Sequence, residues 1–170
     1  MLTPKIEAAI TTQINNELTA SYSYLAMSAY CAQQNFWGSS TWLRIQSQEE
    51  YGHAMKLFDF LLDRNSPVAL KAIKQPKGEF QSILDVFETA MRQEQEVSSQ
   101  IDSLYDMAFQ EKSFAALSEL QWFLTEQVEE EKTCREIVAK LKMIHEDPAA
   151  MLDLDRELGA RTSEEVDAGE

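Results

Sequence analysis

The most informative segment of this 170-residue chain is Glu50-Tyr51-Gly52-His53. Its glutamate and histidine are three residues apart, so on a helix both side chains lie on one face. The same face carries Leu43 before the pair and Leu57 after it, at the spacing of a buried helix. A helical protein buries an acid in such a place only when a cation or hydrogen bonds compensate it. The stretch therefore predicts a helix whose core face carries a polar site.

Four long segments repeat apolar residues at alternating steps of three and four, the period of an amphipathic helix. Only 5 glycines and 4 prolines interrupt the chain, which also favours helices. Thr3 before Pro4 is typical of a helix start, and Asp147 before Pro148 is typical of a break. The predicted helices run from Pro4 to about Asn35, from Ser39 or Ser40 to about Arg64, from Glu79 to Phe109, from Ser113 to His145, and from Pro148 to Leu158.

The segment between the second and third helices is long and has no helical period. It runs from Asn65 to Gly78 and contains Pro67 and Pro76. About fourteen extended residues, at ~3.3 Å each, are enough to travel the length of a helix bundle. We therefore expect an all-α fold, a four-helix bundle with a long crossover between helices two and three and a short C-terminal fifth helix. Residues 1–160 are assigned to this domain, and residues 161–170 to an acidic, mobile tail.

Composition limits the partners and the location of the chain. The formal net charge of −14 argues against nucleic acid and anionic membranes, because both attract lysine and arginine. A solvated acidic surface and an assembly that attracts cations are both compatible with this charge. No apolar stretch approaches ~20 residues, and the N-terminus lacks the apolar segment of a secretion signal, so we expect an unprocessed cytoplasmic protein. Cys31 and Cys134 each lie within a helical pattern and are expected to be buried, reduced thiols.

Each of the four long helices is apolar near its ends and polar at its centre. Buried together without cations, carboxylates at these positions would be protonated or would destabilise the fold. Two divalent metal ions neutralise four carboxylates, and oxygen-rich ligation with one imidazole suits iron or manganese better than zinc. Carboxylates from four helices with a Glu-x-x-His pair are a known ligand pattern of helix bundles. The residues at mid-height are Glu17 on the first helix, Glu50 and His53 on the second, Glu94 on the third, and Gln127 and Glu130 on the fourth.

Four motifs, in this order along the chain, resemble those of bacterial non-haem ferritins. They are Glu17-Leu18-Thr19-Ala20-Ser21 with Tyr24, Glu49-Glu50-x-x-His53, Glu94, and Glu126-Gln127-x-x-Glu130. The similarity covers about residues 4–158, including the long crossover and the short last helix. The resemblance implies a homo-oligomeric cage of 24 subunits that oxidises Fe(II) with O2 and stores Fe(III) oxide inside.

The resemblance also implies which residues hold the two irons of a di-iron centre. Gln127 would lie beside the ligands or reach a bound water. Carried over by position, the ligands would be Glu17, Glu50 and His53 for one iron, and Glu50 as a bridge, Glu94 and Glu130 for the other.

Two further features depend on the same resemblance. Tyr24 would form a hydrogen bond near the di-iron site and can donate an electron; a core tyrosine whose hydroxyl is satisfied by a carboxylate is a compatible interpretation. A possible third, outer iron site would use Glu49, Glu126, Glu129 and Glu130. The alternative is that Glu49, Glu126 and Glu129 are ordinary solvated surface acids.

Departures from related families narrow the subtype. Bacterioferritins have a haem-ligating methionine where this chain has Tyr51, and a Glu-x-x-His motif where it has Gln127 and Glu130, so no haem is expected. Rubrerythrins add a Cys-x-x-Cys iron domain, and the sequence contains no such motif. Animal ferritins line their three-fold channels with acids early in the fourth helix. Here the stretch from 113 to 120 offers only Glu119, which leaves the route of iron entry open.

Three functions are compatible with these residues. The first is an iron-storage ferroxidase, an enzyme whose substrates are Fe(II) and O2. The alternative is a di-iron oxidoreductase without storage, such as a peroxidase or oxygenase of small oligomeric state, which would use the same inner ligands. The third is a metal-free structural bundle, which requires the acids at mid-height to face solvent.

Overall fold

The computed structural model describes residues 2–144 and 147–162 of the chain. Within these residues the chain forms five α-helices and no strand, which confirms the predicted all-α class. No described helix is long and apolar enough to cross a membrane. The helices are α1 (Pro4–Gln33), α2 (Trp37–Asp63), α3 (Ile83–Gln110), α4 (Phe114–Ile144) and α5 (Pro148–Gly159).

Three helices, α1, α3 and α5, begin at caps supplied by their own sequence. Thr3 Oγ1 accepts a hydrogen bond from the Ile6 backbone N–H at 3.4 Å, so α1 starts where predicted. Ser82 Oγ accepts one from the Asp85 N–H at 3.1 Å. Because Ser82 is the cap, α3 starts four residues after Glu79, and the predicted start was wrong by that amount.

The end of α1 was predicted two residues too late, at about Asn35. Asn35 has a φ of 65°, in the left-handed region that cannot continue a right-handed helix. The Phe36 N–H donates to the Cys31 carbonyl at 2.9 Å across this turn. The helix therefore closes at Gln33 in a C-terminal capping arrangement.

The start of α2 was also predicted late, at Ser39 or Ser40, whereas the helix begins at Trp37. The cap comes from another helix. The Asp155 carboxylate of α5 accepts hydrogen bonds from the Gly38 N–H at 2.9 Å and from the Ser39 N–H at 2.7 Å. A carboxylate at a helix N-terminus satisfies free N–H groups and complements the helix dipole. The serines therefore become helical residues instead of caps.

The remaining ends agree with the sequence to within about one residue where the structure describes them. α2 ends at Asp63, one residue before the predicted Arg64, and α5 ends at Gly159. The predicted end of the fourth helix, His145, lies outside the described residues. Of the predicted acidic tail, Arg161 and Thr162 are described, and 163–170 lie outside the described residues.

The crossover connects α2 to α3 along the outside of α1. Residues 64–82 form neither helix nor strand, and two side-chain contacts fix their path. Ser66 Oγ donates to Glu7 at 2.6 Å, and the Lys71 N–H donates to Asn15 at 2.8 Å. Since Glu7 and Asn15 lie two turns apart on α1, the crossover runs lengthwise, as predicted. Short turns join α1 to α2 and α3 to α4.

The apolar core is divided into two halves, one towards each end of the bundle. The polar residues of all four long helices lie at the level between these halves, because each helix contributes apolar residues to both sides of its central acid. The division positions the candidate site in the interior. Fully buried members are Tyr24, Met27, Leu43, Phe87 and Cys134 in one half, and Ile10, Leu57, Ile101, Leu120 and Phe123 in the other.

α5 packs closely against the start of α2. Leu154 and Leu158 are buried in the half of the core that contains Leu43. A Cβ atom added at Gly38 would lie 1.6 Å from the Asp155 carbonyl oxygen, and one added at Gly159 would lie 2.9 Å from the Gly38 Cα. Only glycine therefore permits this approach of the two backbones.

We predict that Gly38→Ala lowers the free energy of unfolding by about 2 kcal/mol, since a methyl group cannot fit without moving α5. Gly52→Ala is the matched control on the same helix, because an added Cβ there meets nothing within 4 Å. The control should raise stability by about 0.5–1 kcal/mol. Urea unfolding of the metal-free proteins measures both values, and equal stability of the two variants would contradict the described packing.

Candidate metal centre

The structure buries all six of the polar residues predicted at mid-height. Glu17 and Glu94 are 0% exposed and Glu50 is 1% exposed, while the other three are at most 6% exposed. The six converge because α1 to α4 each place one or two of them at the same level between the apolar halves. The other three are His53, Gln127 and Glu130.

Glu17, Glu50 and His53 form the tightest group. Each offers a ligand atom, and these atoms lie within 4.8 Å of one another. His53 Nδ1 lies 3.4 Å from Glu50 Oε2. One turn before Glu17, Gln13 Nε2 donates to Glu17 Oε1 at 2.8 Å and fixes that side of the carboxylate.

Several buried polar atoms in this group have no hydrogen-bond partner among the described residues. They are Glu17 Oε2, both carboxylate oxygens of Glu50, and His53 Nδ1. An unsatisfied buried carboxylate destabilises the folded state, and native proteins rarely tolerate several together. All four atoms are lone-pair donors suited to a hard or intermediate divalent cation. The residues present therefore fit a metal ion.

Glu94 is oriented by two neighbouring side chains. The Tyr24 hydroxyl donates to Glu94 Oε1, and Gln127 Nε2 donates to Glu94 Oε2 at 3.3 Å. Glu94 also lies near Glu50, since burial first and then the Glu94 charge raise the pKa of Glu50. Glu94 belongs to neither of the ligand groups of three found among the described residues.

Glu130 lies between the inner group and an outer groove. Gln46 Nε2 donates to Glu130 Oε1 at 2.7 Å. Glu130 also groups with His53 and Glu126, with one ligand atom of each within 4.8 Å of the others. The structure thus places Glu130 close to Glu126, one of the outer acids with which the sequence analysis grouped it.

Burial and mutual repulsion shift the pKa values of these acids upwards. Burial raises the pKa of Glu17 to about 7. Burial, followed by the negative charges of Glu94, Glu17 and Glu130, raises the pKa of Glu50 well above its ordinary value. The pKa values of Glu94 and Glu130 are also raised, chiefly by burial. Without metal the centre therefore holds protons near neutral pH, and cation binding would release them.

His53 is held as a neutral ligand. Burial, and then the charge of Lys56, lower its pKa from 6.5 to about 4. Its ring packs edge-on against Trp122, with centroids 5.2 Å apart, and against Phe123 at 6.0 Å. A neutral imidazole has the lone pair that metal coordination requires.

The predicted outer acids differ in their surroundings. They line a groove of about 900 Å³ between α2 and α4. Glu126 is partly buried and Glu129 is exposed. Glu49 is bound on both oxygens by Arg161, at 2.7 and 2.8 Å. The structure therefore brings the four acids to one groove but gives each a different environment.

Sequence reasoning missed three residues that contact the predicted ligands. Gln13 and Gln46 were detectable, since Gln13 is one turn before Glu17 and Gln46 is one turn before Glu50 on the same faces. Arg161 carried no such signal, because it was assigned to the tail. The two cysteines, Cys31 and Cys134, are free and buried, as predicted.

Comparisons with known proteins agree with this geometry. The ferritin-like domain family matches residues 7–144. The bacterial non-heme ferritin of Staphylococcus aureus is 37% identical over 165 residues, which are 97% of this chain and 99% of the relative. The bacterial non-heme ferritin of Staphylococcus epidermidis is also 37% identical, with the same coverage.

Solved structures give the same result for the fold. An open-pore ferritin from the archaeon Archaeoglobus fulgidus superposes with a TM-score of 0.94 at 43% identity, covering 95% of this chain and 100% of that one. A form of the A. fulgidus ferritin engineered to be closed also has a TM-score of 0.94, at 44% identity, covering 95% of this chain and 99% of the other.

We predict that the metal-free protein loses stability as the pH rises from about 4.5 to about 7. The pKa of Glu17 is higher in the folded state than its ordinary 4.5, so its contribution is complete below pH 4.5 and is lost towards pH 7. His53 acts in the opposite sense, because its contribution is complete above pH 6.5 and is lost as the pH falls towards about 4. The carboxylates outnumber the imidazole and set the net direction.

Glu17→Gln isolates this effect from the general surface charge. It should make metal-free protein at pH 7 more stable than wild type, by on the order of 2 kcal/mol, and should flatten the pH dependence. Glu96→Gln, at an exposed position on α3, is the control and should leave the dependence unchanged. Chemical unfolding at several pH values measures the stability of both variants and of wild type. A Glu17→Gln profile parallel to that of wild type would show that Glu17 is ionised throughout.

Proposed function

Because this chain belongs to the ferritin family, we propose that it is an iron-storage ferroxidase. Its substrates are Fe(II) and O2, and its reaction takes place at a di-iron centre within each subunit. The Fe(III) product is deposited as an oxide mineral inside a homo-oligomeric cage of 24 subunits. We place the protein in the cytoplasm. Tyr51 occupies the position of the haem methionine of bacterioferritins, so the proposal includes no haem.

The main support for the proposal is that Glu17, Glu50 and His53 each place a ligand atom within 4.8 Å of the others, while four of their buried polar atoms have no hydrogen-bond partner among the described residues. Neighbouring hydrogen bonds could have satisfied these atoms, as they satisfy Glu94 and one oxygen of Glu130. The lack of such bonds supports a site whose lone pairs bind a cation.

The proposed centre holds two ferrous ions as substrates. Neither oxygen of Glu50 has a hydrogen-bond partner among the residues that the structure describes, which supports its role as the bridge between the ions. The remaining ligands would be Glu17 and His53 for one ion, and Glu94 and Glu130 for the other.

The ions supply the electrons, which O2 accepts, and the protein fixes the distance and orientation of the pair. Since burial raises the pKa of Glu17 to about 7, ion binding displaces protons from the carboxylates before oxidation begins. Four carboxylates and one neutral imidazole favour the more highly charged product, Fe(III), over Fe(II).

Tyr24 and Gln127 support the second ion through Glu94. The Tyr24 hydroxyl and the Gln127 amide each donate to one oxygen of Glu94, so they orient the carboxylate. We propose in addition that Tyr24 can donate an electron to the reduction of O2. Burial, and then the negative charge of Glu94, raise the pKa of Tyr24, which keeps it a neutral phenol.

A third ion would lie in the outer groove on the way to the mineral. Its ligands would be Glu49, Glu126, Glu129 and Glu130. Glu130 reaches both the inner centre and this groove, which supports its use at both places.

We predict that Glu50→Ala reduces the initial rate of O2-dependent Fe(II) oxidation by about 100-fold or more, because it removes the ligand shared by both ions. Glu96→Ala, on an exposed part of α3, is the control and should oxidise Fe(II) at the wild-type rate. Stopped-flow absorbance measures the rates. Undiminished oxidation by Glu50→Ala would refute the assignment.

Size-exclusion chromatography with light scattering tests whether the same samples form the cage that storage requires. The proposal requires wild type and Glu50→Ala each to have a mass near twenty-four times 19.4 kDa. A small oligomer that still oxidises iron would instead support the non-storage oxidoreductase.

A further inference from the structure

Arg161 lies inside the outer groove, with its side chain only 20% exposed. Its Nη2 donates to both oxygens of Glu49, at 2.7 and 2.8 Å, a charge-assisted contact made through one guanidinium nitrogen. Its Nη1 donates to Gln46 Oε1 at 2.8 Å. Arg161 thus binds one outer acid directly.

The same arginine reaches a second acid through Gln46. The Gln46 amide accepts from Arg161 with its oxygen and donates from its nitrogen to Glu130 at 2.7 Å. The guanidinium also lies over the Trp42 ring, 4.8 Å from its centroid. These contacts hold the positive charge between Glu49 and Glu130, where the third iron of the proposed function would lie.

Its position is set by the docking of α5. Arg161 follows Gly159 by two residues, and Gly159 contacts Gly38 at the start of α2. Asp155 on the same helix caps α2, and Leu158 is buried beneath it. A helix held at three points therefore delivers the arginine to the groove.

We propose that Arg161 is a tethered cation that competes with the third iron for Glu49. The inference rests on the proposed function and adds a regulation of the order in which the ions bind. Both Glu49 oxygens are engaged while Arg161 is docked, and a metal ion beside the guanidinium would meet a like charge. The two inner ions need neither Glu49 nor Arg161. The subunit therefore fills its inner pair first, and a third ion binds at Glu49 only when it displaces the arginine.

Anaerobic calorimetry with Fe(II) separates the inner ions from the third ion. Arg161→Gln should bind the third ion about tenfold more tightly than wild type and bind the first two with unchanged affinity. Arg156→Gln is the matched control on the same helix, since Arg156 is 78% exposed and pairs only with Asp153 among the described residues. It should behave as wild type. Adding Glu49→Gln to Arg161→Gln should abolish the gain.

A third-ion affinity in Arg161→Gln no higher than in Arg156→Gln would overturn the inference, while normal binding of the first two ions would leave the proposed function intact. Failure of wild type to bind the first two ions would instead refute the proposed function.

Hydrogen exchange of wild type tests the displacement of Arg161 without a substitution. Amides of Ala160 and Arg161 should exchange faster once a third equivalent of Fe(II) is bound, and unchanged exchange at that point would also overturn it.

Discussion

The burial of carboxylates between two apolar halves of one core governs how the other parts of this structure are arranged. Each long helix interrupts its apolar face with a polar residue at the same level. Burial raises the pKa values of Glu17, Glu50, Glu94 and Glu130, so the metal-free fold keeps part of this group protonated. Apolar packing in the two halves supplies the stability that offsets the cost of burying these carboxylates. A cation bound at the centre would lower that cost.

α5 connects the end of the chain to this centre. Its Asp155 caps α2, the helix that carries Glu50 and His53, and Arg161, two residues beyond the end of α5 at Gly159, binds Glu49, one position before Glu50. α5 contributes few side chains to the core. Nevertheless α5 and the residue Arg161 that follows it contact α2, the helix that carries the ligands, at both the start and the middle of α2. The proposed competition between Arg161 and an outer ion follows from this connection.

Much of the fold could be predicted because helical spacing is a local property of the sequence. The mid-height level of Glu17, Glu50 and Glu94 also follows from counting turns along each helix. The start of α2 could not be predicted, since its cap is Asp155, more than a hundred residues away. The same holds for Arg161: its contact with Glu49 depends on where α5 docks, and a short acidic C-terminal segment gives no sign of that.

Which residues lie buried at the candidate site could be predicted from the sequence, whereas the hydrogen bonds between them could not. Residue type and register indicated which acids are buried, but not which oxygens are satisfied. Within the described residues, Glu50 has no hydrogen-bond partner on either oxygen, whereas Glu94 is held by Tyr24 and Gln127. This difference depends on side-chain rotamers across four helices. Such contacts are tertiary, and a single helix does not specify them.

Anomalous diffraction at the iron edge, from crystals soaked anaerobically with Fe(II), shows whether the buried acids bind a pair of ions. We expect two iron peaks in each subunit, one bonded to Glu17, Glu50 and His53 and the other to Glu50, Glu94 and Glu130. Iron peaks confined to exposed surface acids, with none in bonding range of His53, would contradict it.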